Sequence, residues 1–75
     1  MIKVEVRLFA TFREGREKKY FLELPKGTTI IEILNSLNIE EKEASIILLN
    51  GIDGHASREL SDGDILSLFP PVGGG

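Results

Sequence analysis

Ile65-Leu66-Ser67-Leu68-Phe69-Pro70-Pro71-Val72-Gly73-Gly74-Gly75 is the stretch from which the rest of this 75-residue chain is best read. Ile65 to Phe69 is an apolar segment of strand length. Pro70 and Pro71 offer no N–H to a sheet ladder and fix φ, so the strand is predicted to stop at Phe69. Gly73, Gly74 and Gly75 then carry no side chains at all. The expected product is a stiff exit from a folded body, a flexible tip and a bare carboxylate on Gly75. Fully extended, Pro70 to Gly75 would reach roughly 20 Å. A narrow site on another protein can admit such a tip, because no Cβ meets its walls.

Working outward, Ile2, Val4, Val6 and Leu8 alternate with Lys3, Glu5 and Arg7, which predicts a strand with one buried face. Phe9 falls on the outer parity. Thr11 to Lys18 is polar, contains Gly15 and reads as a loop. Tyr20, Leu22 and Leu24 resume the alternation as a second strand, paired with the first in a hairpin. Thr29 and Glu32 have capping-box spacing. Ile30, Leu34 and Leu37, widened by Ile31 and Ile33, then form the apolar stripe of a short helix. Asn38 suits a left-handed C-terminal cap. Glu40 to Glu43 reads as a charged linker or a short helical turn. Ser45 to Leu49 is an apolar run of strand length, Asn50-Gly51 a turn, and Asp53 to Ser57 a short edge strand. Asp62-Gly63-Asp64 turns the chain into the last strand, Ile65 to Phe69.

This order predicts an α+β fold: a mixed sheet of four to five strands packed against one helix. Residues 1–69 form the domain and 70–75 the tail. Val4, Val6, Leu8, Leu22, Leu66 and Leu68 should face Ile30, Leu34 and Leu37. The composition is that of an ordinary globular domain, 41% hydrophobic and 28% charged. A net charge of −3 argues against nucleic acid as the partner. The chain has no cysteine, which excludes disulfides, thiolate metal sites and a catalytic thiol. No apolar run is long enough for a transmembrane helix, and the N-terminus enters a strand pattern without a secretory signal. A cytoplasmic protein with no membrane partner is the expectation.

Met1-Ile2-Lys3-Val4, Phe9-Ala10 with Arg13-Glu14, Asn50-Gly51, Leu60-Ser61-Asp62-Gly63-Asp64 and Phe69-Pro70-Pro71-Val72 with Gly74-Gly75 together resemble a known family. It is the MoaD/ThiS-type, β-grasp (ubiquitin-like) sulfur-carrier family, and the resemblance is closest to the small subunits of molybdopterin synthases. It spans the whole chain, by pattern more than identity in the middle. Gly73 departs from it, since relatives often carry a small side chain there. The resemblance implies that an E1-like enzyme uses ATP to adenylate the Gly75 carboxylate and that a sulfur donor converts the adenylate to a thiocarboxylate. The tail would then enter a synthase large subunit and give its sulfur to a pterin precursor of the molybdenum or tungsten cofactor. It implies a non-catalytic subunit with no stably bound cofactor and no metal. Gly75 would be the reacting residue, with Gly73 and Gly74 giving access.

The residues agree with this chemistry. An ordinary terminal carboxyl is ionised at pH 7 and nucleophilic towards the α-phosphate of ATP. A chain without cysteine cannot carry sulfur as a persulfide, so a carried sulfur must sit on the terminus. In a β-grasp sheet the first and last strands are parallel neighbours. Phe9 and Phe69, both on the outer parity, would then meet beside the tail exit. Phe9, Phe69, Pro70, Pro71 and Val72 are therefore the expected partner-binding residues. His55 lies in a glycine-rich loop without neighbouring ligands and reads as solvated. Asp62 and Asp64 lack the remainder of a calcium loop and read as a turn. Arg16, Lys18 and Lys19 read as a solvated hairpin end, and Arg13 as a surface arginine. Three other functions share the pattern. They are a ubiquitin-like modifier joined to lysines through Gly75, a sulfur carrier for thiazole synthesis, and an interaction module with an inert terminus.

Overall fold

Alternation of β-branched and leucine side chains with charged ones builds the first strand, β1 (Ile2–Leu8), and its even-numbered residues are buried. The computed structural model describes residues 1–71. β2 (Lys19–Leu24) runs antiparallel to β1, with Val4 opposite Leu22 and Val6 opposite Tyr20. The helix α1 (Ile30–Ser36) follows, then β3 (Ile46–Leu49), β4 (Ile52–Asp53) and β5 (Ile65–Phe69). The five strands form one mixed sheet in the order β2-β1-β5-β3-β4. β5 lies at its centre, parallel to β1 and antiparallel to β3. α1 covers one face and leaves the other open.

Local signals act where the spacing predicts them. The Thr29–Glu32 capping box is present, with the Thr29 N–H donating to Glu32 Oε2 at 3.1 Å. The helix ends in a Schellman motif. Asn38 adopts φ 59°, its N–H donates to the Asn35 carbonyl, and the Ile39 N–H donates to the Leu34 carbonyl. Ile39 is thereby turned into the core beside Leu34. Asn50 and Gly51, with φ 54° and 83°, make the tight turn between β3 and β4, where a right-handed sheet twist favours two left-handed residues. Asp62 Oδ1 accepts from the Lys3 N–H and Asp64 Oδ2 from the Ser61 N–H, so both aspartates serve the turn before β5.

The core is formed by Val4, Val6, Leu8, Leu66 and Leu68 of the sheet against Ile30, Ile33 and Leu34 of the helix. Burying one such side chain contributes about 1.5–3 kcal/mol. Several expectations are corrected. Leu22 is half-buried, because β2 is an edge strand that α1 only partly covers. Leu37 is half-buried because α1 stops at Ser36 and Leu37 is its C-cap. The segment predicted as a polar loop contains a 3-10 turn, Ala10–Arg13, which drives Phe12 into the core. The strand expected over Asp53 to Ser57 is the two-residue β4, which starts one residue earlier. Arg16 is not a solvated hairpin residue: Nε and Nη2 donate to the Leu37 carbonyl at 3.1 and 3.0 Å, and Nη1 to the Phe12 carbonyl at 3.3 Å. It ties the loop after β1 to the C-terminal end of α1, where unpaired carbonyls carry partial negative charge.

Candidate docking site at the exit of the last strand

β1 and β5 end side by side. Leu8 is opposite Leu68 in parallel register, so Phe9 and Phe69 leave the sheet together on its open face. Their rings are stacked, with centroids 4.3 Å apart and planes 8° from parallel. Offset stacking of this kind adds about 0.5–1.5 kcal/mol to burial. Both rings remain half-exposed.

Three local features hold Phe9 in place. Ala10 takes φ 51° and turns the chain sharply out of β1. The Phe12 N–H donates to the Phe9 carbonyl at 3.1 Å, closing the 3-10 turn. Arg13 returns over the strand end, with Nε donating to the Leu8 carbonyl at 2.7 Å and its guanidinium carbon 5.2 Å from the Phe9 centroid. Arg13, read from the sequence as an ordinary surface residue, thus belongs to the aromatic platform through a cation–π contact.

β3 extends the platform. Ile46 is opposite Phe69 and Leu48 is opposite Ser67, so both lie on the open face beside the tail exit. Ile46 is exposed and Leu48 half-exposed. Sequence reasoning missed these two because Ile46-Ile47-Leu48-Leu49 has no alternation to give its parity. The antiparallel register with β5 supplies it. Of the expected partner-binding residues, Pro70 is buried and Pro71 exposed. Val72, Gly73, Gly74 and Gly75 lie outside the described residues. His55 is exposed in the loop after β4, where its carbonyl accepts from the Arg58 N–H. A hollow of about 550 Å³ lies near the opposite end of the open face, lined by Lys3, Glu5, Phe21, Glu23 and Ile65 among others.

Among the described residues there is no group of three or more His, Cys, Asp or Glu side chains placed to hold a metal ion. No helix among them is long and apolar enough to cross a membrane. What the site offers chemically is an apolar, partly cationic platform directly ahead of the proline pair.

Residues 6–75 match the model of the ThiS family. The chain belongs to the ThiS family. Small archaeal modifier protein 3 of Haloferax volcanii is 36% identical over 93 aligned positions, covering 99% of this chain and 100% of that protein. A solved structure assigned as molybdopterin converting factor subunit 1 from Pyrococcus furiosus superposes with a TM-score of 0.74 at 30% identity, covering 96% of this chain and 100% of that one. Subunits 1 and 2 of the molybdopterin-converting factor of Helicobacter pylori have been solved as a complex. A chain of it matches with a TM-score of 0.65 at 30% identity, covering 99% of this chain and 100% of its own. This ThiS-family protein therefore has the β-grasp (ubiquitin-like) fold, and it is a small ubiquitin-like protein of the MoaD/ThiS type.

Proposed function

We propose that this protein is a cytoplasmic sulfur carrier that supplies sulfur to a pterin precursor of the molybdenum or tungsten cofactor. The observation that carries the reading is the stacked Phe9–Phe69 pair at the end of β5, immediately before Pro70-Pro71 and the glycines. An activating enzyme grips this platform and the adjoining Ile46 and Leu48, and the slender tail reaches its active site. The Gly75 carboxylate attacks the α-phosphate of ATP and releases pyrophosphate, giving an acyl-adenylate. Sulfur delivered at the sulfide level displaces AMP and leaves a thiocarboxylate. On transfer the sulfur bonds to the pterin, water attacks the Gly75 acyl carbon and breaks its C–S bond, and Gly75 returns to a carboxylate. The protein supplies the platform and the terminus, and its partners supply the catalytic groups. Likeness to a structure assigned as molybdopterin converting factor subunit 1 and to a chain of the Helicobacter pylori complex of subunits 1 and 2 supports this reading, and that complex supports a synthase large subunit as the second partner.

A second reading is favoured by the similarity to small archaeal modifier protein 3. On that reading the adenylate is attacked by a lysine amine of a target protein, which expels AMP and forms an isopeptide. The experiment is intact mass after incubation with an E1-like activating enzyme, ATP and a sulfur source. The expected result is a gain equal to replacing one oxygen by sulfur, localised to Gly75, absent without ATP and absent when one residue is added after Gly75. No mass change with a demonstrably active enzyme removes the carrier reading, and lysine-linked adducts in lysate then establish the modifier.

A further inference from the structure

The two edges of the sheet are built differently. β4 is two residues long and ends in Asp53, a short charged edge of the kind that discourages further pairing. β2 is six residues long, has no proline, and pairs with β1 in continuous register from Lys19 to Leu24 without a bulge. Its outward row carries two charges, Glu23 and Lys19, the latter 5.7 Å from the Phe21 ring centroid and 3.9 Å from Glu5 Oε2, so a strand that pairs there must match them.

The hydrogen-bond phase shows which groups face outward from it. The Leu8 N–H donates to the carbonyl of Lys18, which lies opposite it in the same register. In an antiparallel ladder hydrogen-bonded and non-bonded pairs alternate, so Tyr20, Leu22 and Leu24 bond to β1. β1 agrees, since the Glu5 N–H donates to Asp64 of the strand connection on its other side. The backbone N–H and C=O groups of Lys19, Phe21 and Glu23 therefore point away from the sheet. Phe21 is 74% exposed on the open face, which is high for its size.

We propose that β2 pairs antiparallel with β2 of a second copy of this chain, with Phe21 on the two-fold axis. This register sets Phe21 opposite Phe21 of the second copy and Lys19 opposite Glu23, twice by symmetry. All six residues are drawn from the outward-facing set, so every pair exchanges two hydrogen bonds. Neighbouring registers fail on charge or on a missing donor. Centring on Lys19 or Glu23 places like charges face to face, and centring on Tyr20 sets Glu17 against Glu23. Centring on Leu22 brings Pro25, which has no N–H, opposite Lys19. On the helix side the pairing brings Tyr20 against Leu22 of the second copy, covering side chains that α1 leaves half-buried. The dimer joins two five-stranded sheets into one of ten. Because β5 runs parallel to β1, the two tails leave at opposite ends, and each Phe9–Phe69 pair, at the ends of β1 and β5, stays off the outer edge of β2. The interface is small, so the dimer is weak and concentration-dependent.

Sedimentation equilibrium of the full chain up to millimolar concentration tests this. A monomer–dimer equilibrium is expected. Lys19→Glu and Glu23→Lys should each raise the dissociation constant about tenfold, by replacing two attractive pairs with two repulsive ones. The double variant should return to within about twofold of the original. In the cysteine-free background, Phe21→Cys should oxidise to a disulfide dimer faster than Ser57→Cys in an exposed loop, since a hydrogen-bonded pair spaced about 5.5 Å lies within disulfide reach. Thermal melts establish that each variant is folded. A chain that stays monomeric, a dimer indifferent to the single reversals, a double reversal that fails to restore pairing, or equal cross-linking at Phe21 and Ser57 would each overturn the proposal.

Discussion

Replacing Phe69 by alanine separates the stability that its ring gives the domain from the partner affinity proposed for it. The ring stacks on Phe9 at 4.3 Å, and removing one member forfeits about 0.5–1.5 kcal/mol. Phe69 is half-buried, so the apolar burial lost adds about 1 kcal/mol, near half the value for full burial. The sum is about 2 kcal/mol. A domain of 75 residues has roughly 4–11 kcal/mol of stability, so Phe69→Ala should remain folded, with its melting point lowered by about 8–16 °C. If the Phe9–Phe69 platform is the docking centre, the same truncation removes an aromatic anchor worth about 2 kcal/mol or more at an interface, or about thirtyfold. The assay is the second-order rate of ATP-dependent thiocarboxylate formation at a temperature where both proteins are fully folded. Phe69→Leu, which keeps apolar volume without a stacking face, serves as the companion and should recover most of the rate. If Phe69→Ala shows the stability loss but forms thiocarboxylate at the wild-type rate, the ring is a packing residue and the docking argument fails.

Two further perturbations test local devices. Arg16→Ala leaves the Leu37 carbonyl without its guanidinium partner at the end of α1 and should cost about 1–3 kcal/mol in urea unfolding; an unchanged midpoint would show that the contact contributes nothing net. Ala10→Gly should move stability in the opposite direction. Ala10 is exposed and held at φ 51°, a conformation costing a residue with a Cβ roughly 1–2 kcal/mol, which exceeds the entropy that glycine adds to the unfolded chain. A rise of about 0.5–1 kcal/mol is expected, and a fall would mean that Ala10 is not strained.

The element order was legible because each element carries its own signal. Period-two alternation marks β1 and β2, a capping box opens α1, a left-handed asparagine closes it, and Asn50-Gly51 turns between β3 and β4. Parity likewise put Phe9 and Phe69 on the outer face, and the family resemblance, which sets β1 beside β5, brought them together. Phe12 escaped notice because a single apolar residue in a polar segment has no period. Arg16 escaped because its acceptor, Leu37, is 21 residues away and no local pattern links them. Ile46 and Leu48 escaped because an unbroken apolar run does not say which side faces the helix.

The sequence by itself determined the order of strands, helix and turns, most of the core, and the proline–glycine exit after Phe69, because these follow from side-chain chemistry within a few residues. Only the tertiary structure decided which strands are edges and which backbone groups β2 leaves unpaired. It also decided that Arg13 lies over Phe9 and that β3 adds its apolar residues to the platform. Those properties depend on register between distant segments, which is fixed when the core is buried and by no one segment alone.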